Sequence, residues 1–466
     1  MLSAVIGTLS NWLYTYILVI LLIAAGLYFT FRTRFVQLRC LGEAIRVISE
    51  KQSDKNAVSS FQALMVSTAS RVGTGNIAGV STAVCMGGVG AVFWMWIIAL
   101  LGGASALIES TLAQIYKVPD DRGGSHGGPA YYIQAALHSR PLAALFAVLL
   151  ILTYMVGFNM LASFNLISSF EAYDFYSPHA ALAAGGGLAL LTALCIFGGG
   201  RRLTRITGVL VPVMGVCYVA MSLVMIGLHI DLLPGTLSAI FRNAFDLQAI
   251  FGGFTGSAMM YGIKRGLFSN EAGVGSAPNA AATADVSHPV KQGLVQMLSV
   301  FIDTLLICTA TAFLCLCSGV EPDAALAGVP YVQAALSGTF GAFGTWFVTG
   351  AMVLFAFTTI LGNYYYCEGN LQYLLKRGPR PWEMAVFRLA AVAIVFLGSL
   401  ADFSLAWDTA DVLMGFMALI NLPVILYLSR PALAALRDYT AQRSAGEEPV
   451  FRAGSIGLKE SVPYWK

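Results

Sequence analysis

Val66-Ser67-Thr68-Ala69-Ser70-Arg71-Val72-Gly73-Thr74-Gly75-Asn76-Ile77-Ala78-Gly79-Val80-Ser81 runs through an apolar segment of membrane length, and Gly73-Thr74-Gly75-Asn76 interrupts it at its middle. Glycine lacks the Cβ that confines other residues, so backbone can leave the helical ladder there. Inside a bilayer this is tolerated only where protein or a water-filled cavity partners the freed N–H and C=O groups. An opened helix at mid-membrane therefore marks a candidate binding site. The competing reading is a packing face, because Gly75 and Gly79 form a small-xxx-small pair that lets two helices touch. A dinucleotide-binding loop is excluded, since the glycines are spaced one residue too far apart and no strand precedes them.

The composition supports the membrane setting. Of the 466 residues, 57% are hydrophobic and 11% charged, with a mean hydropathy of +0.74, whereas a soluble domain carries about 25% charged residues. The opening residues lack the basic region and cleavage site of a signal peptide, so Trp12 to Phe31 reads as a retained first span. The eight cysteines lie in or beside apolar segments without C-x-x-C spacing, which indicates neither a disulfide framework nor a zinc site. A formal charge of +3 is too weak to imply a nucleic-acid partner.

Apolar stretches of about 20 residues or more, enough to cross roughly 30 Å of hydrocarbon, fall near 11–31, 60–87, 89–116, 141–169, 180–198, 206–229, 248–282, 290–318, 340–374, 383–400 and 407–429. This predicts an all-α integral membrane protein of about eleven spans. Arg32, Arg34, Arg39, Arg46, Lys51 and Lys55 follow the first span, and the positive-inside rule puts that loop in the cytoplasm and the N-terminus outside. The later loops alternate accordingly. Inside loops hold Lys117, Arg122 and Arg140, then Arg201, Arg202 and Arg205, then Lys291, then Lys376, Arg377 and Arg380. Outside loops hold Glu171 and Asp174, then Asp231, Arg242 and Asp246, then Glu321 and Asp323, then Asp402, Asp408 and Asp411. Residues 1–439 form one transmembrane domain, and the polar tail 440–466, on the cytoplasmic side, reads as disordered or loosely packed.

A second interruption, Tyr261-Gly262-Ile263-Lys264-Arg265-Gly266-Leu267-Phe268-Ser269-Asn270-Glu271-Ala272-Gly273-Val274-Gly275-Ser276-Ala277-Pro278-Asn279, lies five spans after the first. Broken helices at corresponding places in two halves point to an inverted-repeat transporter with its ligand at the midplane. The halves are 60–229 and 248–429, five spans each, preceded by the extra helix 11–31. Asp303, inside an apolar run, is costly there and reads equally as a structural ion pair or part of a cation site. The hydroxyls of Thr358 and Thr359 either back-bond within their helix or provide oxygens to a hard cation such as sodium. Gly123-Gly124-Ser125-His126-Gly127 fits G-x-S-x-G but lacks the strand-to-helix turn of a nucleophile elbow, so it is read as chance.

At Val72-Gly73-Thr74-Gly75-Asn76-Ile77-Ala78-Gly79-Val80, Gly127-Gly128-Pro129-Ala130-Tyr131-Tyr132, Arg265-Gly266-Leu267-Phe268-Ser269-Asn270-Glu271-Ala272-Gly273 and Pro289-Val290-Lys291-Gln292-Gly293-Leu294, the chain resembles the alanine or glycine:cation symporter family, also called the sodium:alanine symporters. The resemblance covers nearly the whole chain. It implies a leucine-transporter-type (LeuT-type) fold of five plus five inverted helices with one extra N-terminal helix, in the bacterial inner membrane. It also implies sodium-driven uptake of small neutral amino acids, with sodium the co-transported ion, no other cofactor and no required protein partner.

By the same resemblance, the N–H groups of Thr74 and Gly75 bind the substrate carboxylate, as half-helix N-termini favour anions, and Asn76 secures the unwound strand. Phe268, Ser269 and Asn270 face the substrate's amino group and side chain. Sodium is bound by the carbonyls of Ala69, Val72 and Phe355 and the hydroxyls of Thr358 and Thr359. Many family members carry a glutamine near Ala162 and a tryptophan where this chain has Asn363, positions that border the substrate. The pocket is therefore expected to be wider and more polar, admitting a larger amino acid such as glutamine. Arg71, near mid-membrane, requires partners. It either pairs with Glu271 or Asp303, filling a second sodium position and leaving one sodium per cycle, or snorkels to the cytoplasmic interface. Proton coupling and an amino-acid-permeable channel are the competing functions. A membrane enzyme lacks its motifs, with no H-E-x-x-H and no phosphate loop.

Overall fold

The computed structural model describes residues 2–50, 58–120, 124–198, 200–245, 257–458 and 462–465. Lys51, Lys55, Arg122, Gly123, Asp246 and the stretch 248–256 lie outside these. Among the described residues, nine helices are long and apolar enough to cross a membrane: α1 (Ser3–Arg32), α4 (Ala91–Ile115), α5 (Arg140–Ser168), α6 (Pro178–Ile196), α7 (Arg205–Leu228), α9 (Pro289–Leu316), α10 (Ala342–Leu375), α11 (Pro381–Gly398) and α12 (Phe403–Tyr427). The two interrupted segments supply α2 (Ser60–Arg71) with α3 (Val80–Gly87), and α8 (Ala258–Asn270) with the short helix Ala277–Ala281. The last helix is α13 (Ser429–Ser444).

The apolar helices divide by what they pack against. In α9 and α4, 72% and 67% of the apolar window is buried by protein, against 17% in α11 and 28% in α7. The last two present Val213, Val216, Val386 and Leu389 outward, suited to lipid. Hydrophobic burial drives little association between helices in lipid, so close packing of small residues is decisive. A Cβ on Gly103 would lie 2.9 Å from the Phe301 ring, and one on Gly266 would lie 2.5 Å from Ile98. These approaches hold α4 against α9 and α8.

Both interruptions are real breaks. The first sits slightly upstream of the glycines: Val72, with ψ 88°, leaves the helix, and the chain re-enters through a π-helical turn, Gly75–Gly79, before α3. At the second, α8 ends on Glu271 in the left-handed region, φ +52°, and Gly273 and Gly275 follow at +81° and +94°. The two broken segments also meet at one end, where Asp285 N donates to Val58 O at 2.9 Å.

Several expectations are corrected. Lys291 is not a loop residue: it is buried in α9 and ion-paired with Glu50 and Glu448. Asp408 and Asp411 lie within α12 rather than in a loop, and Asp411 is fully buried. Ser125–His126 pairs antiparallel with Val118–Pro119, and the Ser125 hydroxyl donates to Ala282 O at 2.8 Å, so this serine is structural.

The tail is not loose. Phe451 is buried between the rings of His288 and Trp465, and its N–H donates to Ser287 O at 2.9 Å. Trp465 Nε1 donates to Gln114 O at 2.7 Å, and Lys117 Nζ lies 3.8 Å over the Tyr464 ring. A few well-seated aromatics outweigh the polar average that made the segment look disordered. The tail thereby ties the ends of α4 and α9 together.

Phe451→Ala should detach this strap, at a cost on the order of 3 kcal/mol for a buried phenylalanine, and expose residues 445–466 to protease. Continued protection would refute the anchoring role. The Lys291 hydrogen bond holds the Glu448 carboxyl below the usual carboxylate range. An acid depressed in the folded state stabilises above its unfolded pKa, about 4.3, and loses that contribution as pH falls through the folded value. Protection should therefore be complete at pH 6 and weaken only below about pH 4.

Candidate functional site

The first break is held open by one side chain. Asn76 Oδ1 accepts from Gly73 N at 2.8 Å, and its Nδ2 donates to Asp303 Oδ1 at 2.7 Å and Ser269 Oγ at 3.0 Å. Asp303 Oδ2 accepts from Ser269 Oγ and Thr304 Oγ1, each at 2.8 Å. Three elements are thus joined at a fully buried carboxylate: the opened segment, α8 and α9. Asn270 belongs to the same cluster, its Nδ2 donating to Thr304 Oγ1 at 3.3 Å and its Oδ1 accepting from Ala272 N at 3.1 Å.

Glu271 closes the network on the other side. It accepts from Ser276 Oγ at 2.6 Å and from Ser70 Oγ at 3.3 Å. Ser70 Oγ also lies 2.7 Å from Asn363 Oδ1, and Asn363 Nδ2 donates to Asn159 Oδ1 at 2.9 Å. Asn363 therefore links the end of α2, α10 and α5, and most of its amide is committed to protein. Ala162, on α5, is buried.

Thr74 and Gly75 begin the helical turn after the break, where the first N–H groups have no intrahelical acceptor. Thr74 Oγ1 accepts from Asn165 Nδ2 at 3.3 Å. Gly75 is pressed against Phe268: a Cβ there would lie 2.9 Å from the ring. Phe268 packs between Phe158, with centroids 4.6 Å apart, and Trp407, 5.1 Å. Among the described residues, Trp407 Nε1 in this aromatic wall, and Asn159 Nδ2 and Ser163 Oγ on the helix of Phe158, are buried polar atoms without a hydrogen-bond partner.

The two threonines of α10 differ. Thr358 Oγ1 back-bonds to Leu354 O at 2.9 Å and Phe355 O at 3.2 Å. Thr359 Oγ1 is buried and has no hydrogen-bond partner among the described residues. It lies against the break itself, 1.9 Å from where a Gly73 Cβ would stand. Glycine is obligatory at 73 for this approach, and α10 is brought directly onto the opened backbone, near the last carbonyls of α2 at Ala69 and Val72.

Arg71 neither snorkels nor forms the expected direct ion pair. It is 2% exposed, and Nη1 lies 3.3 Å from Gln296 O and 3.4 Å from Gln296 Oε1, while among the described residues Nε and Nη2 have no hydrogen-bond partner. Among the described residues no carboxylate lies within 4.0 Å of it. Its charge acts on Glu109, Glu271 and Asp303 across space.

Two buried charge centres escaped the sequence reading. Glu109 accepts from Gly273 N at 3.2 Å and Asn421 Nδ2 at 2.8 Å, so α4 and α12 satisfy the second break. Asp411 takes Arg265 in a two-pronged pair, 2.7 and 3.3 Å, together with Lys264 Nζ at 2.9 Å. An acid inside an apolar run was the available signal for both, the same one that singled out Asp303.

Residues 1–453 match the model of the sodium:alanine symporter family. The chain is 44% identical over 461 residues to an amino-acid carrier protein, AlsT, of Bacillus subtilis, covering 98% of this chain and 97% of that one. It is 43% identical over 466 residues to a probable sodium/glutamine symporter, GlnT, of the same organism (100% and 96% covered). It is 36% identical over 449 residues to the sodium/alanine symporter AgcS of Methanococcus maripaludis (94% and 98%). Among solved structures it superposes on a manganese transporter of Eremococcus coleocola with a TM-score of 0.52 at 14% identity, over 88% of this chain and 83% of that one, a likeness of fold alone.

Replacing Asp411 by Asn leaves Lys264 and Arg265 facing each other in a buried site. Asp411→Asn should cost about 3–5 kcal/mol, read as a fall in thermal midpoint of the purified protein. Adding Lys264→Gln should restore part of the loss. Equal midpoints for Asp411→Asn and the parent would show that the pair contributes nothing.

Proposed function

Because this chain belongs to the sodium:alanine symporter family, we propose that it couples sodium entry to uptake of a small neutral amino acid of the alanine or glycine type by alternating access. It is a membrane transporter. Eleven crossings in a LeuT-type five-plus-five inverted repeat, with the N-terminus outside and the C-terminus in the cytoplasm of a bacterial inner membrane, fit the loop charges and the two breaks. No protein partner is needed for this cycle.

The observation that carries the reading is the partnerless Thr359 hydroxyl set against the opened end of α2. A hard cation takes oxygen ligands. The terminal carbonyls of Ala69 and Val72, which a helix end leaves unpaired, together with Phe355 O and the hydroxyls of Thr358 and Thr359, form such a set. They belong to α2 and α10, so sodium favours the state in which these approach. The substrate carboxylate is assigned to the Thr74 and Gly75 amides, its ammonium to carbonyls of Phe268, Ser269 and Asn270, and its side chain to the wall of Phe268 near Ala162 and Asn363. Asn76, Ser269, Glu271 and Asp303 hold the two breaks in register. Arg71 supplies a fixed positive charge among three acids, which favours one sodium per cycle.

A preference for glutamine is the second reading. It is favoured by Trp407 Nε1 and Asn159 Nδ2, which among the described residues are buried without a hydrogen-bond partner and suit a polar side chain, and by the relative named a probable sodium/glutamine symporter.

In proteoliposomes with an imposed sodium gradient, Thr359→Ala should raise the sodium concentration for half-maximal uptake about tenfold, equivalent to ~1.4 kcal/mol, while Thr359→Ser stays near the parent. A change confined to amino-acid affinity at saturating sodium would reject the ion site. Competition by alanine, glycine, serine and glutamine then ranks substrates; if only glycine and alanine compete, the wider polar pocket is wrong. Non-saturating flux without a sodium requirement would indicate a channel, and uptake unchanged without sodium would indicate proton coupling.

A further inference from the structure

The end of α1 and the face of α13 enclose a cavity of about 380 Å3 whose charged lining consists of Arg32, Arg34, Arg39 and Arg437. Among the described residues no acidic side chain lines it, and none of these arginines has a carboxylate within 4.0 Å. Four guanidiniums gathered without a counter-charge repel one another and gain by enclosing an anion. The cluster is also built to be held. Arg39 Nε donates to Arg34 O at 2.8 Å and its Nη2 to Thr33 O at 3.2 Å. This ties its guanidinium to a turn in which Arg34 and Phe35 both adopt the left-handed region, φ +54° and +55°. On two consecutive residues with side chains that conformation is costly, and Arg34 and Arg39 on this turn line the same cavity as Arg437.

The cavity is half apolar. Leu433 and Leu436 form its floor and Phe31 its edge. Phe31, Phe35 and Leu38 form an apolar rim beside it, 63%, 47% and 70% exposed, with the two phenylalanine rings 5.6 Å apart. This rim stands at the end of a helix that crosses the membrane, where hydrocarbon gives way to headgroups. A multivalent arginine cradle continuous with exposed apolar side chains at that depth matches a molecule with an anionic head and acyl chains. A free phosphate would make no use of the rim.

We propose that this cavity is a binding site for an anionic phospholipid, its phosphate held by Arg34, Arg39 and Arg437 and its chains lying along Phe31, Phe35 and Leu38. Basic pockets at the cytoplasmic ends of spans suit such headgroups, and a lipid seated there staples α13, and with it the docked tail, to α1. The proposal is independent of which amino acid or ion is carried.

The test uses the full-length protein in detergent, titrated with phosphatidylglycerol, phosphatidylcholine or inorganic phosphate and read by native mass spectrometry. The parent should retain phosphatidylglycerol in preference to phosphatidylcholine, and Arg34→Gln/Arg437→Gln should lower that retention at least tenfold with phosphatidylcholine unchanged. Arg430→Gln, which removes an exposed charge of the same helix outside the cavity, should leave retention as in the parent. Equal retention by the parent and the double variant, or equal losses in the double variant and Arg430→Gln, would overturn the site. Displacement of the lipid by millimolar inorganic phosphate would reassign it to the free ion and overturn the lipid. Should the double variant fail to fold, Arg39→Lys, which keeps the charge but loses the forked geometry, should reduce retention several-fold; no change there would equally refute the cradle.

Discussion

A helix can be opened within hydrocarbon only if every freed backbone group finds a partner, because each one left bare costs several kcal/mol. The arrangement of this protein's interior follows from that constraint. Asn76 answers it at the first break by turning one end of its amide to Gly73 N and the other to Asp303. Glu109 and Asn421 answer it at the second, from helices on either side of Gly273. Asn76, Asp303, Glu109 and Asn421 are the polar residues, buried among apolar helices, that make two opened backbones possible.

Solving the backbone problem this way imports charge into a low-dielectric interior, and each cation stands near at least one acid. Lys264 and Arg265 meet Asp411 at contact distance. Arg71 stands among Glu109, Glu271 and Asp303 and, among the described residues, touches none of them at ion-pair distance; its hydrogen bonds go to Gln296. A tight pair would lock two elements, whereas a field shared by three acids tolerates small displacements. The links between α2, α8, α9 and α10 run largely through single hydroxyls and amides, of Ser70, Asn76, Ser269 and Asn363. Such contacts hold a unique arrangement yet exchange partners at modest cost, as rearrangement of a carrier requires.

The end of the molecule where the tail docks is organised differently. Glu50 and Glu448 meet Lys291, Arg46 and Arg443 near the surface, and Phe451, Tyr464 and Trp465 seat the tail against α4 and α9. Exposed ion pairs alone contribute little; the aromatic anchors provide the holding force, and the charges set the register.

The sequence by itself determined the class of structure: apolar runs of membrane length specify crossing helices, and Gly73 and the Glu271–Gly275 stretch mark where two of them open, because length and backbone freedom are local properties. Asn76 as the clasp of the first break was expected only from the family resemblance, although the Gly73 amide whose hydrogen bond it accepts is three residues away. Only the tertiary structure decided which long-range partners each polar residue takes. Nothing in the chain around Glu109 names Gly273 or Asn421, and nothing around Asp411 names Arg265, since those residues are 164, 312 and 146 positions away. Thr358 and Thr359 are neighbours in sequence, yet only the packing of α10 onto Gly73 turns one hydroxyl toward the break while the other back-bonds. The tail shows the same division: its average polarity is a property of the chain, but the groove between α4 and α9 that receives its aromatic residues exists only once the helices have packed.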